Sequence, residues 1–211
     1  MATFLNISIS LDGFVAGPNP TLEEPLGHGG EQLHEWIVVL ESWRRQHGLE
    51  GGETNPDDDV MRRAQDRTGA FVMGRRMFSG GSGPWENDPK ANGWWGDDPP
   101  FGGPVFVVTH HAREPLALGT TTYTFVDGVD TALQQARAAA GDRDVQIAGG
   151  GNVAEQALDA GLLDELQLHV APILLGGGTR LFDAAQAKKL ELVGVQGSPA
   201  GVAHVTYRAS G

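Results

Sequence analysis

The spacing of hydrophobic positions changes along this chain, and each change marks an element. Residues 3–10 (TFLNISIS) alternate apolar and small polar side chains, the period of two expected of a strand. Residues 11–17 leave it as a loop with two glycines, and residues 17–30, rich in Gly and Pro, follow no period. Over residues 31–46 the spacing becomes helical. Leu33, Trp36, Ile37, Leu40 and Trp43 share one face, and Gly48 is the stop. Residues 50–59 hold five acids and no base, which reads as a solvated loop. Asp58 or Asp59 then caps a second helix over residues 60–67. Short apolar runs at 70–73, 104–109 and 145–148 predict buried strands, and 121–126 alternates like an edge or half-exposed strand. Residues 127–140 predict a helix with Val129, Leu133, Ala136 and Ala140 inward. Another helix starts at Asn152 as N-cap and ends at Gly161. A long strand is expected over 165–175, a turn or short helix over 179–183, and a hairpin from 190–196 and 202–208. Strands alternating with helices predict an α/β fold. Its sheet is mostly parallel, with helices on both faces and an antiparallel hairpin at one edge.

Composition narrows the function. The 211 residues include 31 glycines, well above the usual share of about 7%, and no low-complexity run accounts for them. Many must therefore sit in turns or at close backbone approaches. With no cysteine, disulfides and thiolate metal sites are excluded. A net charge of −12 argues against a nucleic-acid or membrane surface, so an anionic ligand would need backbone dipoles and a few placed basic groups. No apolar run approaches the roughly 18 residues of a membrane span. No basic segment with an apolar core opens the chain, and a cytoplasmic location is expected.

Three predicted strand ends carry suitable chemistry. Gly149-Gly150-Gly151-Asn152-Val153 joins a strand to a helix, the arrangement that aims backbone N–H groups at an anion such as a pyrophosphate. It formally matches G-x-G-x-x-A, but it lies late in the chain. About 20 residues on, where an acid should hold a ribose, stands Leu168-His169-Val170. A Rossmann site is therefore not expected. Gly74-Arg75-Arg76-Met77 follows a second strand; its glycine admits a close ligand and its arginines can fork onto phosphate oxygens. Thr109 and His110 end a third strand. The Trp-rich stretch 79–103 is longer than most structureless loops, and its tryptophans are expected to pin it to the body. Glu31 and His34 make a single Glu-x-x-His pair near His28 and His47. A di-metal site needs that pair twice, so no metal is expected. Asp12, the nearest acid in the first loop, reads better as a turn-fixing residue than as a proton donor.

Taken in order, five segments resemble the dihydrofolate reductase-like family, and most of all the RibD C-terminal (riboflavin-biosynthesis reductase) type of domain. They are Ser10 to Ala16, Met73 to Met77, Val107 to His110, Gly149 to Asn152, and Leu162 to Leu166 leading to Pro172 through Gly178. The resemblance covers residues 3–208 as one domain, with a variable insertion at about 18–60. It implies a three-layer fold with a sheet of about eight strands, NADPH as cofactor, and a homodimer. It also implies roles: Gly74, Arg75, Arg76 and Met77 on the cofactor phosphates, and Thr109 and His110 near the adenosine and its 2′-phosphate. Gly149, Gly150, Gly151, Asn152 and Val153 would hold the pyrophosphate, and Val15 and Ala16 would lie against the nicotinamide. The implied activity is hydride transfer to a small heterocyclic (pterin- or pyrimidine-like) or carbonyl substrate, as in 5-amino-6-(5-phosphoribosylamino)uracil reductase. The alternative is a nucleotide- or small-molecule-binding protein without catalysis. Riboflavin reductases often carry an acid just before the paired glycines, where this chain has Ala148.

Overall fold

The computed structural model describes residues 1–209. Its centre is a nine-stranded sheet. Thr3–Ser10 (β1), Thr68–Gly74 (β3), Pro104–Val108 (β4), Thr121–Val126 (β6), Asp144–Gly149 (β7) and Glu165–Ala171 (β8) run parallel. Leu116–Leu118 (β5) pairs antiparallel at one edge; Leu190–Gly197 (β10) and Ala203–Ala209 (β11) form the hairpin at the other. The order is β10-β11-β8-β1-β7-β3-β4-β6-β5. Phe14–Ala16 (β2) and Thr179–Arg180 (β9) make a separate two-stranded ribbon. All six parallel strands end along one rim, so their connections carry the candidate site residues to the same side of the sheet.

Helices cover both faces. Val129–Ala140 (α5) and Gly151–Asp159 (α6) pack on the face that shows Leu5, Val72, Phe106 and Ile147. The opposite face has two parts. Around β3, β4 and β6 it buries Met73, Val105, Val107 and Tyr123 against Phe78 of Arg75–Ser79 (α4), with Trp85 and Phe101 alongside. Around β1, β8 and β11 it is covered by Trp36 of Glu35–Val38 (α1) and by Pro56–Arg67 (α3). Strand period and helix face thus produce the expected three layers. Among the described residues no helix is long and apolar enough to cross a membrane.

Several boundaries differ from the expectation. The helix expected over 31–46 is three pieces: a 3₁₀ turn Gly30–His34, α1, and Glu41–Gln46 (α2). The break falls at Leu40, whose backbone is extended (ψ 144°) and which is fully buried. Burying that side chain and bridging the backbone to Glu53 outweighs continuous helix. The acidic stretch is not a solvated loop throughout. Asn55, not Asp58 or Asp59, is the N-cap of α3: its Oδ1 accepts from the Asp57 and Asp58 amides. Pro56 sits at the first helical position, where its missing N–H costs nothing. Asp57 and Asp58 are then buried and bonded to distant partners. Strand β8 stops at Ala171, four residues short, and Thr179–Arg180 is strand rather than turn or helix. Residues 121–126 lie inside the sheet, because the unanticipated β5 pairs outside them.

Candidate functional site

Three strand ends meet at the middle of the parallel rim. Strand β7 leads through Gly149 and Gly150 into α6. Gly150, not Asn152, is the N-cap, with φ 89°, a conformation that strongly favours glycine. No side chain caps this helix and its first turn contains no acid. The Val153 amide donates to the Gly150 carbonyl, and the Gly151 and Asn152 amides before it keep their capacity for an anion. Asn152 sits inside the first turn, and its Oδ1 accepts from Gln156 Nε2 at 2.6 Å. Val153 is buried under the turn. Gly151 has a backbone role as well: a Cβ there would stand 2.6 Å from the Arg180 carbonyl oxygen. The β9 segment is thereby pressed against the start of α6.

On the other side of this turn, Gly74 ends β3. A Cβ at Gly74 would lie 3.3 Å from Val153 Cγ2, so only glycine lets β3 approach α6 this closely without displacement. The Met77 thioether lies over Gly149. The two arginines separate. Arg75 is buried; it donates to Ser79 Oγ and Asp88 Oδ2 and stacks over Trp85 at 3.6 Å. Its guanidinium is engaged in latching the 80–103 loop. Burial alone would raise the Asp88 carboxyl, but hydrogen bonds from Ser79 and Arg75 hold it below the ordinary range. Arg76 is exposed and makes no ion pair among the described residues. Trp85 also donates to the His111 carbonyl at 2.8 Å, so this tryptophan pins the loop as the sequence suggests.

Further along the rim, Thr109 is buried. Its amide donates to the Val126 carbonyl and its Oγ1 accepts from the His111 amide. His110 points into solvent and pairs with Asp127 at 2.7 Å.

The first loop closes the opposite end of the rim. Asp12 accepts from Ser10 Oγ at 2.6 Å, from the Gly176 amide at 2.7 Å and from the Leu175 amide at 3.1 Å. The Ser10 hydrogen bond, helped by the two amides, holds its carboxyl at about 2. Asp12 thus ties the loop after β1 to the loop after β8. Val15 and Ala16 lie in β2, half-buried, with Ala16 paired to Thr179. Arg180, missed as a site residue, lies in β9 at the same place. Its guanidinium stands 4.5 Å from the Phe14 ring, and with Asn152 and Asp183 it lines a cleft of about 380 Å³ beside the start of α6. The only sequence signal for it is an arginine shortly after three consecutive glycines.

Among the described residues no three His, Cys, Asp or Glu side chains cluster as metal ligands. His34 is half-buried, and its desolvation lowers its pKa. A second polar cluster lies under α1 and α3. His169 and His204 approach Nδ1 to Nδ1 at 2.7 Å, His204 Nε2 lies 3.1 Å from Asp57 Oδ1, and His169 Nε2 meets Asn6.

Solved structures share this fold. A protein from Shewanella sp. PV-4 described as a candidate riboflavin biosynthesis protein is 21% identical, with all of both chains covered and a TM-score of 0.67. A pyrimidine reductase-like protein from Corynebacterium diphtheriae is 16% identical, covering 100% of this chain and 92% of that one, with a TM-score of 0.51. The Thermotoga maritima diaminohydroxyphosphoribosylaminopyrimidine deaminase/5-amino-6-(5-phosphoribosylamino)uracil reductase is 14% identical; 99% of this chain aligns with 56% of it, at a TM-score of 0.58. No curated protein matches the chain by sequence. The family model described as the RibD C-terminal domain matches residues 3–204, and the chain belongs to that family.

Proposed function

We propose that this protein is an NADPH-dependent reductase that passes a hydride to a small pyrimidine- or pterin-like heterocycle or to a carbonyl compound. The observation that carries the reading is the uncapped N-terminus of α6, presented at the sheet rim between Gly74 and β9. A pyrophosphate there would accept from the amides of Gly151 and Asn152, with Arg76 and Arg180 as the nearby cations. Met77 and Val153 would form the apolar floor beneath it. When bound, the cofactor supplies the hydride from its nicotinamide ring. The chain's part is to position that ring and exclude water, and β2 with the Asp12-tied loops forms the wall suited to this. Family membership and the reductase named in the Thermotoga protein support the class of chemistry.

The test is titration with NADPH. An occupied site raises the melting temperature and quenches tryptophan fluorescence; at 100-fold excess over Kd the stabilisation is about 2.7 kcal/mol. No change at millimolar NADPH would end the proposal. One observation favours a second reading, a binding protein without catalysis. With its carboxyl at about 2, Asp12 has no proton to donate at neutral pH. Under that reading NADPH binds, yet no pyrimidine, pterin or carbonyl acceptor is reduced. Under the first, the proton comes from water or from an acid other than Asp12. We also propose that the protein works as a cytoplasmic homodimer.

A further inference from the structure

From the α6 turn the rim runs in two directions. Toward β1 and β8 it is walled by β2, β9 and the loops that Asp12 ties, with Phe14 buried. Toward β4 and β6 it opens to solvent, and the side chains there, His110 and Asp127, are 89% and 75% exposed. Hydride transfer needs a site from which water is kept. The nicotinamide half of a dinucleotide therefore suits the walled side and the adenosine half the open one. With strands spaced about 4.8 Å apart, β4 and β6 lie roughly 10 and 14 Å from β7, within reach of a ribose linked to a pyrophosphate at α6.

What the chain offers at that distance is an imidazole held by a carboxylate, His110 Nδ1 to Asp127 Oδ1 at 2.7 Å. The Thr109 amide, bonded to the Val126 carbonyl, keeps the two strand ends in register, so the pair is placed by the sheet. The permanent cation nearest to these strand ends in sequence, Arg113, lies over the Trp85 and Phe125 rings, and among the described residues the ion-pair partner of Asp127 is His110. A carboxylate accepts a hydrogen bond from a ribose 2′-hydroxyl, but it repels a 2′-phosphate and competes with it for His110.

We propose that the His110–Asp127 pair sets the choice between NADH and NADPH, with Asp127 acting against the 2′-phosphate. The inference rests on the dinucleotide reading above. It makes the native preference for NADPH over NADH small and places its control in one exposed side chain.

Asp127→Asn removes the charge and leaves a hydrogen-bond acceptor. Asp142→Asn, just beyond the far end of α5, removes the same charge at a distance. Dissociation constants for NADH and NADPH are measured by fluorescence titration for all three proteins. Asp127→Asn is expected to tighten NADPH about 3- to 10-fold, the effect of one unit charge near a phosphate across partly screened solvent. NADH should change less than about twofold, and Asp142→Asn should leave the ratio unmoved. An unchanged ratio in Asp127→Asn, or an equal shift in Asp142→Asn, overturns this inference while the dinucleotide reading stands. A native protein that binds neither dinucleotide overturns both.

Discussion

Single side chains at this rim do tasks their residue type does not announce. Asp12 is an acid beside a proposed reducing site, yet its hydrogen bonds keep it ionised and turn it into a clamp between two loops. Asp12→Asn should therefore keep turnover within about tenfold while raising KM, because positioning is lost and not a proton donor. Abolished turnover with unchanged KM would contradict this. The folded pKa of Asp12 lies below the ordinary carboxylate value, so the clamp is present above about pH 4 and lost as pH falls toward 2. His169 works over a different window. Burial, with His204 and His34 nearby, pushes it from 6.5 to about 3. It is neutral when folded and takes up a proton when unfolded below pH 6.5. Its contribution is full above 6.5 and declines as pH falls toward 3, at up to about 1.4 kcal/mol per pH unit. Urea unfolding between pH 7.5 and 5 should show this slope, and His169→Gln should flatten it. An identical slope in the variant would place its origin elsewhere.

At the scale of elements, the strand–turn–helix unit β7–α6 depends on backbone approach. A methyl at Gly151 would press into the Arg180 carbonyl, a backbone atom that cannot rotate away. Gly151→Ala should displace β9 from α6 and weaken dinucleotide binding at least tenfold, read by titration beside a circular-dichroism spectrum that stays native. Undiminished binding would show that this close approach is dispensable. The 80–103 loop relies on a buried pair instead. Asp88→Asn leaves Arg75 without its counter-ion at a site where both side chains are under one-tenth exposed, and should cost about 3 kcal/mol. Faster amide exchange confined to residues 80–103 would locate the loss. These elements also show what was legible beforehand. The glycine turn before α6 and the strand ends at Gly74 and Thr109 could be read from local pattern, because strand burial and helix start are written in neighbouring residues. The role of Arg75 could not, since its partner Asp88 lies in an irregular loop. Arg180 escaped notice because β9 pairs with β2 from 163 positions away or more. The three-piece helix at 30–46 was hidden for the same reason: Leu40 turns inward to meet tertiary partners that local spacing does not encode.

At the scale of the whole molecule, one part of the sheet has no helix over it among the described residues. Helices α5 and α6 cover the β7–β3–β4 side, while the same face of β8, β11 and β10 continues past them. Register places Leu168, Val205 and Val195 in one row there and Leu166, Tyr207 and Leu192 in another. Leu192 and Val195 are 56% and 64% exposed, and Leu174, in the loop that Asp12 holds, is 72% exposed. β10 is also the outermost strand, with one side of its backbone unpaired. An apolar face at a free edge invites association unless another surface covers it. We propose a second copy as the cover; its interface would then reach the loop that Asp12 holds. Leu192→Asp with Val195→Asp places two charges on the face without touching the rim. Sedimentation at micromolar concentration should show a dimer for the native chain and a monomer for the variant, with the β-sheet spectrum retained. If the Asp12-tied loop is steadied by the partner, the monomer should also bind NADPH more weakly. A native chain that sediments as a monomer would leave this face without the occupant proposed for it.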